Sequence, residues 1–112
     1  GKKEGEARMW FYHGQLRRHC HYVNGKLEGD NTEWHANGQI DLRCRFVNDK
    51  LDGEVMSWYD NGNINDQYTC VNGKIEGEYK KFHFRRGLIE HLNYVGGEET
   101  HNYFDAFLAY EQ

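Results

Sequence analysis

Glycines at positions 5, 29, 53 and 77 stand 24 residues apart, and the residues between them keep register from one interval to the next. Trp10, Trp34, Trp58 and Phe82 fall in one column, and Leu16, Ile40, Ile64 and Leu88 in a second. Tyr22, Phe46, Cys70 and Tyr94 make a third, and Val23, Val47, Val71 and Val95 a fourth. Self-similarity at a fixed period of about 20 to 50 residues marks stacked modules, each too small to bury its apolar face alone. The period therefore excludes an ordinary globular core and predicts an array.

Inside one unit, Gly53 to Glu76, two turn signals separate two short runs. Asp60-Asn61-Gly62-Asn63 and Val71-Asn72-Gly73-Lys74 each place Asn-Gly where a tight hairpin needs positive φ at both central residues. The runs between, Glu54 to Tyr59 and Ile64 to Val71, are rich in aromatic and β-branched residues and too short for stable helices. Asn24-Gly25 and Asn37-Gly38 repeat the signal, while His13-Gly14 and Asn48-Asp49 keep residue types that tolerate the left-handed region. The last copy is the most altered, with Arg86-Gly87 and Gly96-Gly97 in place of Asn-Gly. The expectation is an all-β fold: an elongated, single-layer antiparallel sheet of tandem β-hairpins over residues 1–97, about 38 Å long for four units by strand spacing. Alternation leaves one point open. A two-residue loop at Asn61-Gly62 sets Tyr59 opposite Ile64 and Trp58 on the other face, whereas a one-residue bulge moves Trp58 to the Ile64 side.

Gly53, Trp58, Tyr59, Asn61, Gly62, Ile64, Asn72, Gly73, Lys74 and Gly77, with their equivalents, resemble the longer variant of the MORN repeat, found in tandem in bacterial proteins called antitoxins and in proteins of large DNA viruses. The resemblance spans residues 1–97. It implies a scaffold whose partners vary, since function resides in sites grafted on a fold. Gly1-Lys2-Lys3-Glu4-Gly5 aligns with Gly25-Lys26-Leu27-Glu28-Gly29, so the chain opens in the middle of a unit and further repeats are expected upstream.

The composition, 38% hydrophobic and 15% aromatic, suits a thin sheet covered by amphipathic rings, and the lack of Pro suits an unbroken ladder. With a net charge of −4, general nucleic-acid binding is not expected, because phosphate contacts lean on cations. The basic spots Arg17-Arg18, Arg43 with Arg45, Lys80-Lys81 and Arg85-Arg86 read as a solvated edge, with an anionic lipid or RNA patch as the competing reading. No apolar run approaches the ~20 residues of a membrane span.

Three cysteines occur. Cys20 and Cys44 are equivalent residues one unit apart, about 9 to 10 Å by strand spacing and beyond the reach of a disulfide; Cys70 is expected to lie farther still. Free thiols in a reducing compartment follow: cytosol, nucleus, or a virion assembled there. His19 and His21 share one face of a strand and Cys20 the other, so they do not complete a four-ligand site, and no metal or cofactor is expected. Glu28, Asp52 and Glu76 recur beside the glycines, which points to a structural task, either cross-strand pairing with Lys26, Lys50 and Lys74 or solvation of an edge. No nucleophile turn, phosphate-cradling loop or catalytic triad is present, so no catalytic residue is assigned.

The candidate interaction surface is the ladder of Trp10, Trp34, Trp58 and Phe82 with Tyr59, bordered by the turns at Asn24, Gly25, Asn37, Gly38, Asn61, Gly62, Asn72 and Gly73. Such a ladder is either the spine of the sheet or a groove for a protein partner or a second copy. The competing functions are an antitoxin-like binder, a membrane-associating module and an accessory to a catalytic domain. Residues 98–112 break the repeat, and Tyr103, Phe104, Phe107 and Leu108 with Thr100 as N-cap predict a short C-terminal capping helix.

Overall fold

The computed structural model describes residues 1–104. Twelve strands, all in one open antiparallel sheet, make up these residues: β1 (Gly5–Trp10), β2 (Leu16–Val23), β3 (Lys26–Leu27), β4 (Gly29–Trp34), β5 (Ile40–Val47), β6 (Lys50–Leu51), β7 (Gly53–Trp58), β8 (Ile64–Val71), β9 (Lys74–Ile75), β10 (Gly77–His83), β11 (Gly87–Val95) and β12 (Glu98–Asn102). The long strands follow chain order, β1-β2-β4-β5-β7-β8-β10-β11-β12, and the two-residue strands β3, β6 and β9 fold back on β2, β5 and β8. The molecule measures 59 × 32 × 14 Å, so it is one layer thick. Its length exceeds the expected 38 Å. The sheet runs one strand past the four hairpins, and neighbouring hairpins pair at only two residue pairs before diverging, as at Leu42↔Ser57 and Arg43↔Met56.

Two kinds of turn alternate along the chain. At Asn24-Gly25, Asn48-Asp49, Asn72-Gly73 and Gly96-Gly97 both residues have positive φ, 53° and 84° for Asn72 and Gly73, as a two-residue hairpin requires. The other turn differs from the sequence expectation. Among its residues only Gly14, Gly38, Gly62 and Gly87 have positive φ; Asn37, Asn61 and His13 do not. Gly62 N donates to Tyr59 O at 2.9 Å and Tyr59 N to Asn63 O at 2.8 Å, which is a tight turn over Asp60-Asn61 followed by a left-handed glycine. Asn61 serves by its side chain, whose Oδ1 accepts from Asn63 N at 2.9 Å. The bulge settles the open register: Ser57 pairs with Asp66 and Trp58 with Ile64, leaving Asn65 as the extra residue. Units one and two do the same at Trp10↔Leu16 and Trp34↔Ile40. In the last hairpin the glycine comes one residue later, at Gly87, and pairs with His83.

The two faces separate cleanly. Ala7/Cys20, Asn31/Cys44, Val55/Tyr68 and Tyr79/Leu92 lie opposite each other on one face. Here Cys44, Val55 and Cys70 are buried against Leu42, Phe46, Leu51, Tyr68 and Ile75. All three cysteines are buried and free. Cys70, expected to lie farther off, shares this cluster with Cys44, and it pairs with Gly53 of β7 on one side and Ile75 of β9 on the other. The opposite face carries the charged column Glu6, Asp30, Glu54 and Glu78, each exposed.

The C-terminal expectation is corrected in part. Glu98–Asn102 is a strand paired with β11, so Thr100 is no helix cap; its hydroxyl accepts from Asn93 Nδ2 at 3.0 Å. A helical turn begins at Tyr103, with Asn102 Oδ1 accepting from Phe104 N at 3.0 Å. The expected helix positions Phe107 and Leu108 lie outside the described residues.

Candidate interaction surface

Each unit reaches forward to the next along the edge that carries the Trp column. His13 Nε2 donates to Ala36 O at 2.9 Å; His35 Nε2 to Trp58 O and Asn37 Nδ2 to Asp60 O, both at 2.7 Å. Tyr59 Oη donates to Phe82 O at 2.5 Å, and Asn61 Nδ2 and Asn63 Nδ2 to Phe84 O at 3.1 and 2.8 Å. His35 and Tyr59, at one position of the repeat, thus supply a donor, and Phe11, at that position in the first unit, has none to give. These cross-unit bonds explain why a polar residue recurs at an exposed turn: it satisfies a neighbour's carbonyl.

The opposite edge is locked by carboxylates. Glu4 Oε1 accepts from Asn24 N at 2.7 Å, Glu28 Oε1 from Asn48 N at 3.0 Å, Asp52 Oδ1 from Asn72 N at 3.5 Å and Glu76 from Gly96 N at 2.9 Å. The recurring acids therefore hold turn amides and are not partnered with Lys26, Lys50 and Lys74 as expected. Lys50 and Lys74 do a different job, which Lys2 shares. The stems of Lys2, Lys50 and Lys74 pass 3.5, 3.6 and 3.3 Å from where a Cβ would stand on Gly25, Gly73 and Gly97. Consecutive turns also stack through the backbone, Gly73 N donating to Leu51 O at 2.8 Å and Gly97 N to Ile75 O at 3.0 Å.

The aromatic column is graded. Trp10 is 57% exposed, while Trp34, Trp58 and Phe82 are half-buried beneath the neighbouring unit. Tyr12, at the first turn, is fully exposed, and Tyr59 packs edge-on to Phe84 with ring centroids 6.2 Å apart. Where a described unit lies on each side, the column is part of the sheet's spine. The turn residues Asn24, Gly25, Asn37, Gly38, Asn61, Gly62, Asn72 and Gly73 are all exposed.

Sequence reasoning missed a polar knot on the packed face. Asn31 is buried; its Oδ1 accepts from Arg18 Nε at 2.8 Å, and its Nδ2 donates to Glu33 Oε2 at 3.1 Å. Its equivalents Ala7, Val55 and Tyr79 give no hint of this role, although Arg18 and Glu33 stand directly opposite each other. The adjoining hairpins hold a second knot, with Asp66 accepting from Ser57 Oγ at 2.5 Å and from Tyr79 Oη at 3.4 Å. Burial, then the Asp66 charge, pushes the hydroxyls of Tyr68 and Tyr79 up to about 12. Burial likewise raises the thiols of Cys44 and Cys70. These groups stay neutral and unreactive at ordinary pH.

Alternation disperses the basic pairs Arg17-Arg18 and Lys80-Lys81. Arg18 turns to the packed face, whereas Arg17 lies 6.0 Å over the Phe11 ring. Lys81 donates to Asn65 Oδ1 at 2.5 Å, whereas Lys80 sits 3.8 Å from Glu78 on the other face. On the polar face the diverging hairpins leave shallow notches, one of about 280 Å³ beside Arg43, Arg45 and Glu54. Cys20 faces away from His19 and His21, and among the described residues no three His, Cys, Asp or Glu side chains converge as a metal site would need. No described helix is long and apolar enough to cross a membrane.

An open layer of stacked hairpins, locked edge to edge through its turns, defines a β-hairpin repeat array. The family model of the MORN repeat variant matches residues 3–24 and 51–69, largely within the first and third hairpin units, and these segments are similar to that repeat. Comparison with curated proteins gives no match. MORN repeats are in general non-catalytic modules that contact proteins or membranes.

Proposed function

We propose that this array is a non-catalytic scaffold that binds a protein partner through its aromatic ladder. The observation that carries this reading is that Trp34 and Trp58 stay only half-buried although a described unit lies on each side of them, so ring surface remains open along the array. Trp and Tyr supply large, stiff contact area and dominate binding where they can be fully desolvated. The open part of each ring has the chemistry of an anchor, while the covered part serves the sheet.

Affinity capture with the wild-type chain, Trp10→Ala and Trp34→Ala tests this. A protein held by wild type and lost with Trp10→Ala at unchanged urea midpoint supports the reading, while Trp34→Ala is expected to lower that midpoint. Capture unaffected by either substitution, or binding only to anionic vesicles, overturns it.

A further inference from the structure

The two turn types place the same dipeptide, Asn-Gly, in two chemical environments. At Asn37-Gly38 and Asn61-Gly62 the asparagine amide is held at both ends. Asn37 Oδ1 accepts from Gln39 N at 3.0 Å while its Nδ2 donates to Asp60 O at 2.7 Å. Asn61 is held likewise, by Asn63 N at 2.9 Å and Phe84 O at 3.1 Å. Asn24 and Asn72 are exposed, sit at φ 53°, and their side-chain amides have no hydrogen-bond partner among the described residues.

We infer that Asn24 and Asn72 are sites of spontaneous backbone-assisted deamidation, and that Asn37 and Asn61 are protected from it by their cross-unit bonds. The backbone nitrogen of the following glycine gives up its proton to solvent and attacks Cγ of the asparagine. The new C–N bond closes a five-membered imide, and the Cγ–Nδ2 bond breaks with release of ammonia. Water then opens the imide at either carbonyl, leaving aspartate or isoaspartate. Glycine after asparagine favours the step because no side chain hinders the attacking nitrogen. Attack also needs the side chain to rotate onto the backbone, which a free amide does and a doubly bonded one cannot do without losing both bonds.

The glycine amide does not explain the difference, because it is bonded in all four turns. Gly38 N and Gly62 N donate at 2.9 Å to His35 O and Tyr59 O; Gly25 N and Gly73 N donate at 2.9 and 2.8 Å to Lys3 O and Leu51 O. Each conversion adds a negative charge to the edge already lined by Glu4, Glu28, Asp52 and Glu76. At Asn72 that charge arises where the Asp52 carboxylate accepts from the Asn72 backbone nitrogen at 3.5 Å. An isoaspartate also adds a backbone carbon to a turn that must seat Gly73 on Leu51. The product is a charge and register change confined to the stacked-turn edge, leaving the Trp edge intact.

The test is peptide mapping by mass spectrometry after prolonged incubation of the intact chain at mildly alkaline pH, with a urea-unfolded sample in parallel. In the folded chain Asn24 and Asn72 are expected to convert at least about tenfold faster than Asn37 and Asn61, the factor that loss of two net hydrogen bonds implies. In urea the four sites should converge, and a folded Asn72→Gln variant should lose the signal at that peptide alone. Conversion of Asn37 or Asn61 as fast as Asn72 in the folded chain overturns the proposal, as does the same spread of rates in urea.

Discussion

Asp49 and Leu27 are bound to each other twice: Asp49 N donates to Leu27 O at 3.0 Å, and Asp49 Oδ1 accepts from Leu27 N at 2.7 Å. Asp49 stands where the other stacked turns carry glycine, with φ at 70°. A left-handed non-glycine residue costs about 1 to 2 kcal/mol, and the carboxylate bond offsets part of that. Asp49→Ala keeps the strained backbone and loses the bond, so it should destabilise by about 1 to 2 kcal/mol. Asp49→Gly removes both and should stay within about 0.5 kcal/mol of wild type. Urea midpoints of the two variants check this, and equal losses would show that the carboxylate does nothing for the turn.

Gly62 is required for two separate reasons, which can be separated by experiment. Its φ is 90°, and a Cβ there would come within 2.6 Å of Gln39 Oε1. Gly62→Ala should cost more than the left-handed penalty of about 1 to 2 kcal/mol. Adding Gln39→Ala should return the excess and leave the penalty. A double-mutant cycle reads the coupling directly. Additive losses would mean that Gln39 swings aside freely.

The cross-unit donor at position 59 gives a prediction in both directions. Tyr59→Phe removes the bond to Phe82 O and should cost about 0.5 to 1.5 kcal/mol by urea unfolding. Phe11 occupies the equivalent place in the first unit and lacks the hydroxyl, so Phe11→Tyr supplies a donor aimed at Trp34 O. It should gain a fraction of a kcal/mol. A neutral Phe11→Tyr with a costly Tyr59→Phe would mean that the first two turns sit in a different relation from the third and fourth.

The fold was legible because a period is visible without knowing what each column does. Columns of Trp10, Leu16, Tyr22 and their copies fix two strands per unit, and Asn72-Gly73 states its own turn. Asn61-Gly62 was less legible, since the dipeptide serves either as both left-handed residues or as a side-chain cap followed by one left-handed glycine. The bulge at Asn65 decides between them, and alternation alone leaves it undetermined. Recurrence showed that Glu28, Asp52 and Glu76 share a task but not that its object is a turn amide, because backbone partners leave no trace in composition. Asn31 was invisible for the opposite reason: it has no counterpart in the other units. At the candidate surface the column was readable, while the difference between Trp10 and Trp34 exists only once the units are stacked.

The buried ring hydroxyls set how the array responds to alkali. Tyr68 and Tyr79 are raised from 10.0 to about 12, first by burial and then by Asp66, so in the folded chain they hold their protons to higher pH than in the unfolded chain. Between about pH 10 and 12 the folded state binds more protons, and stability falls with rising pH. Cys44 and Cys70, raised from 9.0 by burial, act in the same direction and start the decline near pH 9. Below that, these groups are protonated in both states and contribute no slope. The urea midpoint should therefore be insensitive to these groups up to about pH 9 and fall progressively toward pH 12. Tyr68→Phe and Cys70→Ala should each make the fall shallower, even where they lower the midpoint at neutral pH. Tyrosinate absorbance followed alongside should show part of the ring population ionising only as the chain unfolds. A midpoint that rises above pH 10, or tyrosinate forming fully before unfolding, would mean that the packed face is open to water.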